Sequence, residues 1–224
     1  MKRGLFAGTL ALALAGCATE PGAITLFTPK PESAQAALDY YYDTIPNSTL
    51  PQAPTGKALP GEDDVITKIL LGSCLDEEKG PSAAMMSVAQ EGADLFLMVG
   101  DNVYGDRDGR SYVVNQPDLD EVRQSFADLA ARPDFQAVRA STAMMVAWDD
   151  HDYGANDAGK GFPFRALAER VHEVFWGLED QDVGQWPGTY YARTFGPEGQ
   201  RTQVIMLDTR FFRSDLTATD DWGA

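Results

Sequence analysis

The chain has 224 residues, enough for one sizeable domain with its own core and short for two. Hydrophobic residues make up 44% and charged residues 23%, which excludes a disordered or fibrous chain. The formal charge of -16 leaves little basic surface with which to displace phosphate counterions, so no nucleic-acid-binding surface is expected.

Lys2 and Arg3 precede an apolar stretch from Leu5 to Ala15, too short to span a bilayer as a helix and built as a secretory signal is. Leu14, Ala15, Gly16 and Cys17 close it, and this ending resembles a bacterial lipobox. The resemblance implies a signal peptide over residues 1–16 and lipid on Cys17. It also implies an exported chain, anchored to a membrane of the cell envelope and facing the periplasm or the cell exterior. Loss of residues 1–16 removes two basic residues and no acidic one, so the mature chain is more negative still. With Cys17 lipidated, Cys74 is the one remaining thiol and has no disulfide partner within the chain. It is then either a small buried hydrophobe or a metal ligand.

Residues 17–60, rich in Pro, Thr and Ala, read as a tether between the lipid and a body over residues 61–224. A short helix is expected over Ser33–Thr44, around Tyr40, Tyr41 and Tyr42, and Pro46, Pro51, Pro54 and Pro60 keep the next stretch extended or irregular. In the body, Val65–Leu71 reads as a strand ending at Gly72, and Pro81–Ala93 as a helix with Pro at its start and Gly92 near its end. Leu95–Val99 reads as a buried strand stopping at Gly100. Leu119, Val122, Phe126 and Leu129 recur at helical spacing, so a helix is expected over residues 118–131. Ala143–Trp148 is another buried strand, Phe164–Leu178 another helix, and Gln203–Leu207 a further buried strand entering Asp208. Strands alternating with helices define an α/β fold.

Each of these strands runs into a polar loop: Gly72-Ser73-Cys74, Gly100-Asp101-Asn102-Val103-Tyr104-Gly105-Asp106, Asp149-Asp150-His151-Asp152, and Asp208-Thr209-Arg210. The carboxyl ends of the strands in an open α/β sheet converge on one edge, which here collects Cys74, Asp101, Tyr104, Asp150 and His151. One Asp at a strand end is common turn chemistry, whereas several with a Cys, a Tyr and a His make a candidate metal site. Asp149, Asp150 and Asp152 crowd around His151, and crowded carboxylates raise one another's pKa unless cations neutralise them. Carboxylate and amide oxygens suit calcium or magnesium, while a thiolate and a phenolate suit a stronger Lewis acid such as ferric iron. An EF-hand beginning at Tyr104, with Asp106, Asp108 and Gly109 at its third, fifth and sixth positions, fails, because neither Tyr104 nor Asn115 suits its end positions.

In their order and approximate spacing, Gly72-Ser73-Cys74, the Gly100–Asp106 loop, Trp148-Asp149-Asp150-His151-Asp152 and Leu207-Asp208-Thr209-Arg210 resemble the PhoD-like alkaline phosphatase D family. The resemblance implies a metallophosphatase-type, calcineurin-like fold, a two-sheet sandwich flanked by helices. It implies hydrolysis of phosphomonoesters, with phosphodiesters as a wider range, by a metal-activated water. It further implies ferric iron and calcium, with other divalent metals open. Cys74, Asp101 and Tyr104 would bind iron, Asp101 would bridge, and Asp150 or Asn156 would hold calcium. His151 would stabilise phosphoryl oxygens or protonate the leaving group. Arg210 is either a bidentate phosphate contact or half of a structural salt bridge. Ser73 is a poor covalent nucleophile because no base is placed for it, and His172, inside a predicted helix, reads as structural.

Two alternatives stand beside this one: an inactive metal-binding envelope lipoprotein, and a phospholipase or nucleotidase on the same fold. Such folds also take late His or Asp ligands, yet both His residues here precede Asp208 and only 16 residues come after it. A chain incomplete at its C-terminus, with an incomplete metal site and an exposed sheet edge, is therefore expected.

Overall fold

The computed structural model describes residues 31–106, 117–214 and 216. The leader, Cys17, Asp108, Gly109 and Asn115 lie outside the described residues.

Three parallel strands form the main sheet in the order β1 (Ile69–Gly72), β2 (Leu95–Val99), β3 (Ala143–Ala147), with Ile69 level with Leu95 and Leu95 level with Ala143. The runs Leu-Phe-Leu-Met-Val and Ala-Met-Met-Val-Ala are buried apart from Val99, as parallel strands covered on both faces are. The strand expected over Val65–Leu71 is shorter and is not buried: β1 is an edge, and the Leu71 side chain is 70% exposed. Residues 67 and 68 are held by a side chain in place of a ladder. Asp94 Oδ2 accepts from the amides of Thr67 (2.7 Å) and Lys68 (2.9 Å) and from Thr67 Oγ1 (2.8 Å).

The helices are α1 (Ala34–Asp43), α2 (Ala83–Gln90), α3 (Asp120–Ala131), α4 (Pro133–Ser141), α5 (Asp150–Tyr153) and α6 (Arg165–Trp176). Ser33 starts α1 by accepting the Ala36 amide at 3.0 Å, the usual N-cap contact. Between α3 and α4, Arg132 is extended because the ring of Pro133 disfavours a helical residue before it, while Pro133 itself opens α4. Buried Arg132 pairs with Asp134 (2.7 Å) and donates to the Asp76 carbonyl (2.9 Å). Asp134 in turn accepts the Ser82 amide at 2.6 Å, so this pair fastens the β1 loop and α2 to α4.

The strand expected over Gln203–Leu207 is β5 (Thr202–Met206), and it does not extend the parallel sheet. It pairs antiparallel with β4 (Tyr191–Phe195), and it alternates, burying Val204 and Met206 while Ile205 is exposed. The apolar run imitates a strand covered on both faces only because the outward positions 205 and 207 are also aliphatic. Tyr191 joins the two sheets: its hydroxyl accepts from the Val146 amide (2.9 Å) and donates to the Val146 carbonyl (3.1 Å), closing part of the outer edge of β3.

The described part of the Pro-rich stretch lies against the body. Tyr42 and Leu50 are buried, and Arg170 of α6 donates to the carbonyls of Tyr42 (2.7 Å) and Ile45 and to Asn47 Oδ1 (2.6 Å). The Ala53 and Lys57 amides donate to the carbonyls of Phe175 and Arg139 at 2.9 and 2.7 Å. Among the described residues no helix is long and apolar enough to cross a membrane.

Candidate metal centre

The loops after β1 and β2 are joined backbone to backbone, with the Cys74 amide donating to the Gly100 carbonyl (3.3 Å) and the Leu75 amide to the Asp101 carbonyl (2.8 Å). Gly100 has a φ of 111°, and a Cβ there would stand 2.6 Å from that of Asp149, so only glycine lets the β3 loop approach this closely. Cys74 and Asp101 both adopt the left-handed region, at φ 58° and 48°. Non-glycine residues avoid it at a cost of about 1 kcal/mol or more each, and such strain concentrates at functional sites.

These turns bring a thiol and a phenol to one carboxylate oxygen. Cys74 Sγ lies 3.5 Å from Asp101 Oδ2, and Tyr104 Oη lies 3.4 Å from the same atom. Cys74 is exposed, which removes the alternative of a buried structural thiol. Asp101 Oδ1 is buried and has no hydrogen-bond partner among the described residues. Burial raises the Asp101 carboxyl above its ordinary range, and Asp150 and Asp149 add to the rise against the opposing pull of His151 and Cys74.

After β3, Asp149 caps α5 in a reciprocal capping box with Asp152, so Asp150 and His151 leave the first turn of that helix together. One ligand atom each from Asp101, Asp150 and His151 falls within 4.8 Å of the others. Burial pushes the Asp150 carboxyl up, but the Asp157 amide, which donates to it at 2.7 Å, together with Arg210 and His151, brings it below the ordinary value. His151 Nδ1 lies 2.6 Å from Asp106 Oδ1, and the Tyr104 ring packs on the imidazole with centroids 4.3 Å apart. Burial would lower the His151 pKa, but Asp106, Asp150 and Asp101 outweigh it and raise the pKa.

Arg210, at the exit of β5, is engaged with carboxylates. Its Nε pairs with Asp149 Oδ1, its Nη2 stands 3.7 Å from Asp150 Oδ1, and Thr209 Oγ1 adds a 3.2 Å bond to Asp149. The salt-bridge alternative thus has its partners in place. Asn156 is exposed and its amide donates to Asp157 Oδ2 (2.7 Å), and among the described residues no hydrogen bond joins its side chain to the cluster. Ser73 Oγ points to Cys74 Sγ at 3.4 Å. His172 is fully buried among the rings of Phe126, Trp148 and Trp176.

Three residues that frame the site were not singled out as site residues from the sequence. Asp152 accepts from Asn102 Nδ2 (3.1 Å), the Val103 amide (3.0 Å) and the Asp149 amide (2.9 Å), so one buried carboxyl group locks the β2 loop to the β3 loop. Its burial pushes its pKa well above the ordinary range. Glu77 Oε2 accepts the Tyr104 amide at 2.9 Å, and Asp106 holds His151. Their signal is a partner 27 to 50 residues away, which only the fold supplies.

The donor set fits a cation. A thiol, a phenol, two carboxyl groups and an imidazole converge, one carboxylate oxygen is buried and unpartnered, and the carboxyl crowding is of the kind that a positive ion relieves.

Fold and site together define a mixed α/β protein with a candidate metal centre at the carboxyl end of a parallel sheet. Residues 69–171, somewhat under half of the chain, match the model of the PhoD-like phosphatase family. A solved structure described as "Structure of PhoD" shares the fold with a TM-score of 0.56 at 22% sequence identity. That match covers 75% of this chain and 35% of the other, so the chain spans about a third of that protein's length. No curated protein matches the chain.

Proposed function

We propose that the chain carries the metal-holding edge of a metal-dependent phosphoric ester hydrolase that acts on phosphomonoesters. The observation that carries this is the meeting of Cys74 Sγ and Tyr104 Oη at Asp101 Oδ2, beside Asp150 and His151, within a segment matching PhoD-like phosphatases. Cys74, Asp101 and Tyr104 would hold ferric iron, and Asp150 with Asp101 would hold calcium, since a thiolate and a phenolate suit ferric iron and carboxylates suit calcium. Bound ions supply Lewis acidity that makes a water acidic enough to attack phosphorus at neutral pH and offsets charge on the attacking and leaving oxygens.

The chain's own groups do the rest. Asp101 Oδ2 meets the thiol and the phenol, and an Asp101 oxygen lies within 4.8 Å of ligand atoms of Asp150 and His151, so one carboxylate is placed to serve both sets of donors. His151 donates a proton toward a phosphoryl or leaving oxygen, work suited to an imidazole near neutral pH. Arg210 holds Asp149 and Asp150 in place by charge. We also assign the chain to the calcineurin-like sandwich, and place it outside the cytoplasm on a lipid carried by Cys17, on the strength of the lipobox-like sequence. Incorporation of labelled fatty acid into the wild-type chain but not into Cys17→Ala tests the anchor.

The catalytic proposal is tested by turnover of 4-nitrophenyl phosphate with added iron and calcium, using Asp101→Ala as control. Turnover abolished in the control supports it. Metal binding without turnover supports the inactive lipoprotein, and absence of both metal binding and turnover contradicts the proposal.

A further inference from the structure

Among the described residues, Tyr190 and Phe212 are the exposed aromatic side chains outside α1, at 42% and 57%, and with half-buried Trp186 they form one row. Trp186 stacks on Tyr190 with centroids 5.7 Å apart and 29° between the planes, and the Phe212 ring follows 6.3 Å from that of Tyr190. The loop beneath is shaped to seat Phe212. Gly188 has a φ of 88°, and a Cβ on it would stand 2.7 Å from the Phe212 ring and 2.8 Å from Asp208 Oδ2. Only glycine lets the loop pass so close under the ring. Glu169 accepts the Gly188 amide, which fixes that loop to α6, and the Phe211 ring braces Phe212 from 5.1 Å. Adjoining aromatic faces left open to solvent mark a binding surface, and rings already held in place lose little freedom when a flat partner arrives.

A single turn joins this row to the candidate metal centre. The Arg213 amide donates to the Arg210 carbonyl at 3.1 Å, closing a turn whose ends lie within about 7 Å of each other. Its first residue, Arg210, carries a guanidinium to Asp149 and Asp150, and its third, Phe212, carries the open ring. Asp208 ties the two loops together, accepting the amides of Arg210 (2.7 Å), Phe211 (2.8 Å) and Thr189 (2.9 Å).

We propose that Phe212, with Tyr190 and Trp186, forms the subsite for the base of a nucleoside monophosphate substrate. The inference rests on the phosphoesterase proposal, which puts the phosphoryl group at Asp101 and Asp150, beside Arg210. In a nucleotide a sugar separates the phosphorus from a flat base, as the turn separates the centre from Phe212. A simple aryl ester, whose ring is bonded to the ester oxygen, lacks that spacer. Every base has a π face, so stacking on this row selects for the presence of a base and not for which base it is.

Ribose 5-phosphate is adenosine 5′-monophosphate with a hydroxyl in place of the base, so the pair isolates the base. In turnover with added iron and calcium, the wild-type KM is expected to be about 10-fold lower for the nucleotide than for the sugar phosphate. Phe212→Leu keeps an apolar side chain over Gly188 but removes the ring face. It is expected to raise KM for the nucleotide about 10-fold and to change that for the sugar phosphate less than twofold. Equal wild-type KM values for the two esters, or a variant that weakens both alike, overturn the proposal; the wild-type comparison alone suffices should the variant fail to fold. Equilibrium dialysis of the same two esters separates the subsite from the chemistry. A chain without turnover that binds the nucleotide about 10-fold more tightly, with the preference lost in Phe212→Leu, would sink the phosphoesterase proposal and leave the subsite intact. Turnover of both esters without preference would do the reverse.

Discussion

Cys74 and Asp101, 27 residues apart in the chain, meet Sγ to Oδ2 at 3.5 Å, and each reaches that contact from a left-handed backbone. The metal-free chain therefore carries backbone strain at two adjoining loops and a partly buried carboxyl group beside Asp149 and Asp150. Asp101→Asn removes the charge and keeps the shape. It is expected to raise the stability of the metal-free chain by on the order of 1 kcal/mol and to abolish the stabilisation that added metal gives the wild type. Thermal unfolding with and without metal measures both, and a variant less stable than wild type without metal would contradict the expectation.

Asp152 ties two loops of the site through three accepted hydrogen bonds. Asp152→Ala leaves buried donors on Val103 and Asn102 and the half-buried Asp149 amide without that acceptor, and is expected to destabilise the chain by about 2–4 kcal/mol. Urea unfolding decides it, a loss below about 1 kcal/mol meaning that water or rearrangement replaces the carboxyl group.

Much of this was legible from the sequence where one local signal dominated. Leu95–Val99 is found residue for residue because a covered parallel strand is apolar throughout, and Cys74, Asp101, Tyr104, Asp150 and His151 are brought to one edge because strand ends carry them there. What escaped depended on partners. β4, Tyr-Ala-Arg-Thr-Phe, has no apolar run to announce it and exists as the partner of β5. α4 is hidden by Pro133, which reads as a break although it opens a helix. β5 imitates a covered strand because Ile205 is apolar yet faces outward. Asp106 lies in the loop that carries Asp101 and Tyr104, but nothing local says that His151 is its partner.

His172 sits among Phe126, Trp148 and Trp176 with no partner for either ring nitrogen among the described residues, and burial lowers its pKa from 6.5 to about 3. Its neutral form is the one that folds, whereas the unfolded chain takes up a proton below about 6.5. The stability it permits is thus present above that pH and is lost as pH falls toward 3. The urea midpoint is expected to drop between pH 7.5 and 5, and to drop less in His172→Leu. Equal drops in the two chains would assign the acid sensitivity elsewhere.

Glu173 runs the other way. Burial, and then Glu169 and Glu179, raise its pKa from 4.5 to about 8. The folded chain holds this proton where the unfolded one has released it, so the associated stability is full below about 4.5 and disappears as pH rises through 8. Glu173→Gln, permanently neutral, is expected to be more stable than wild type at pH 9 by on the order of 1–3 kcal/mol, with the advantage shrinking toward pH 5. Paired unfolding curves at the two pH values check it, and an advantage independent of pH would contradict it.

Cys74, Asp101 and Tyr104 are proposed to close on one ion. Iron loaded into the purified chain and held by a thiolate and a phenolate gives a visible charge-transfer absorption, read together with bound metal per chain. Stoichiometric iron is expected, with the phenolate part of the band lost in Tyr104→Phe, the thiolate part lost in Cys74→Ser, and iron itself lost in Asp101→Ala. Iron that does not bind, or a spectrum the same in all three variants, would contradict it.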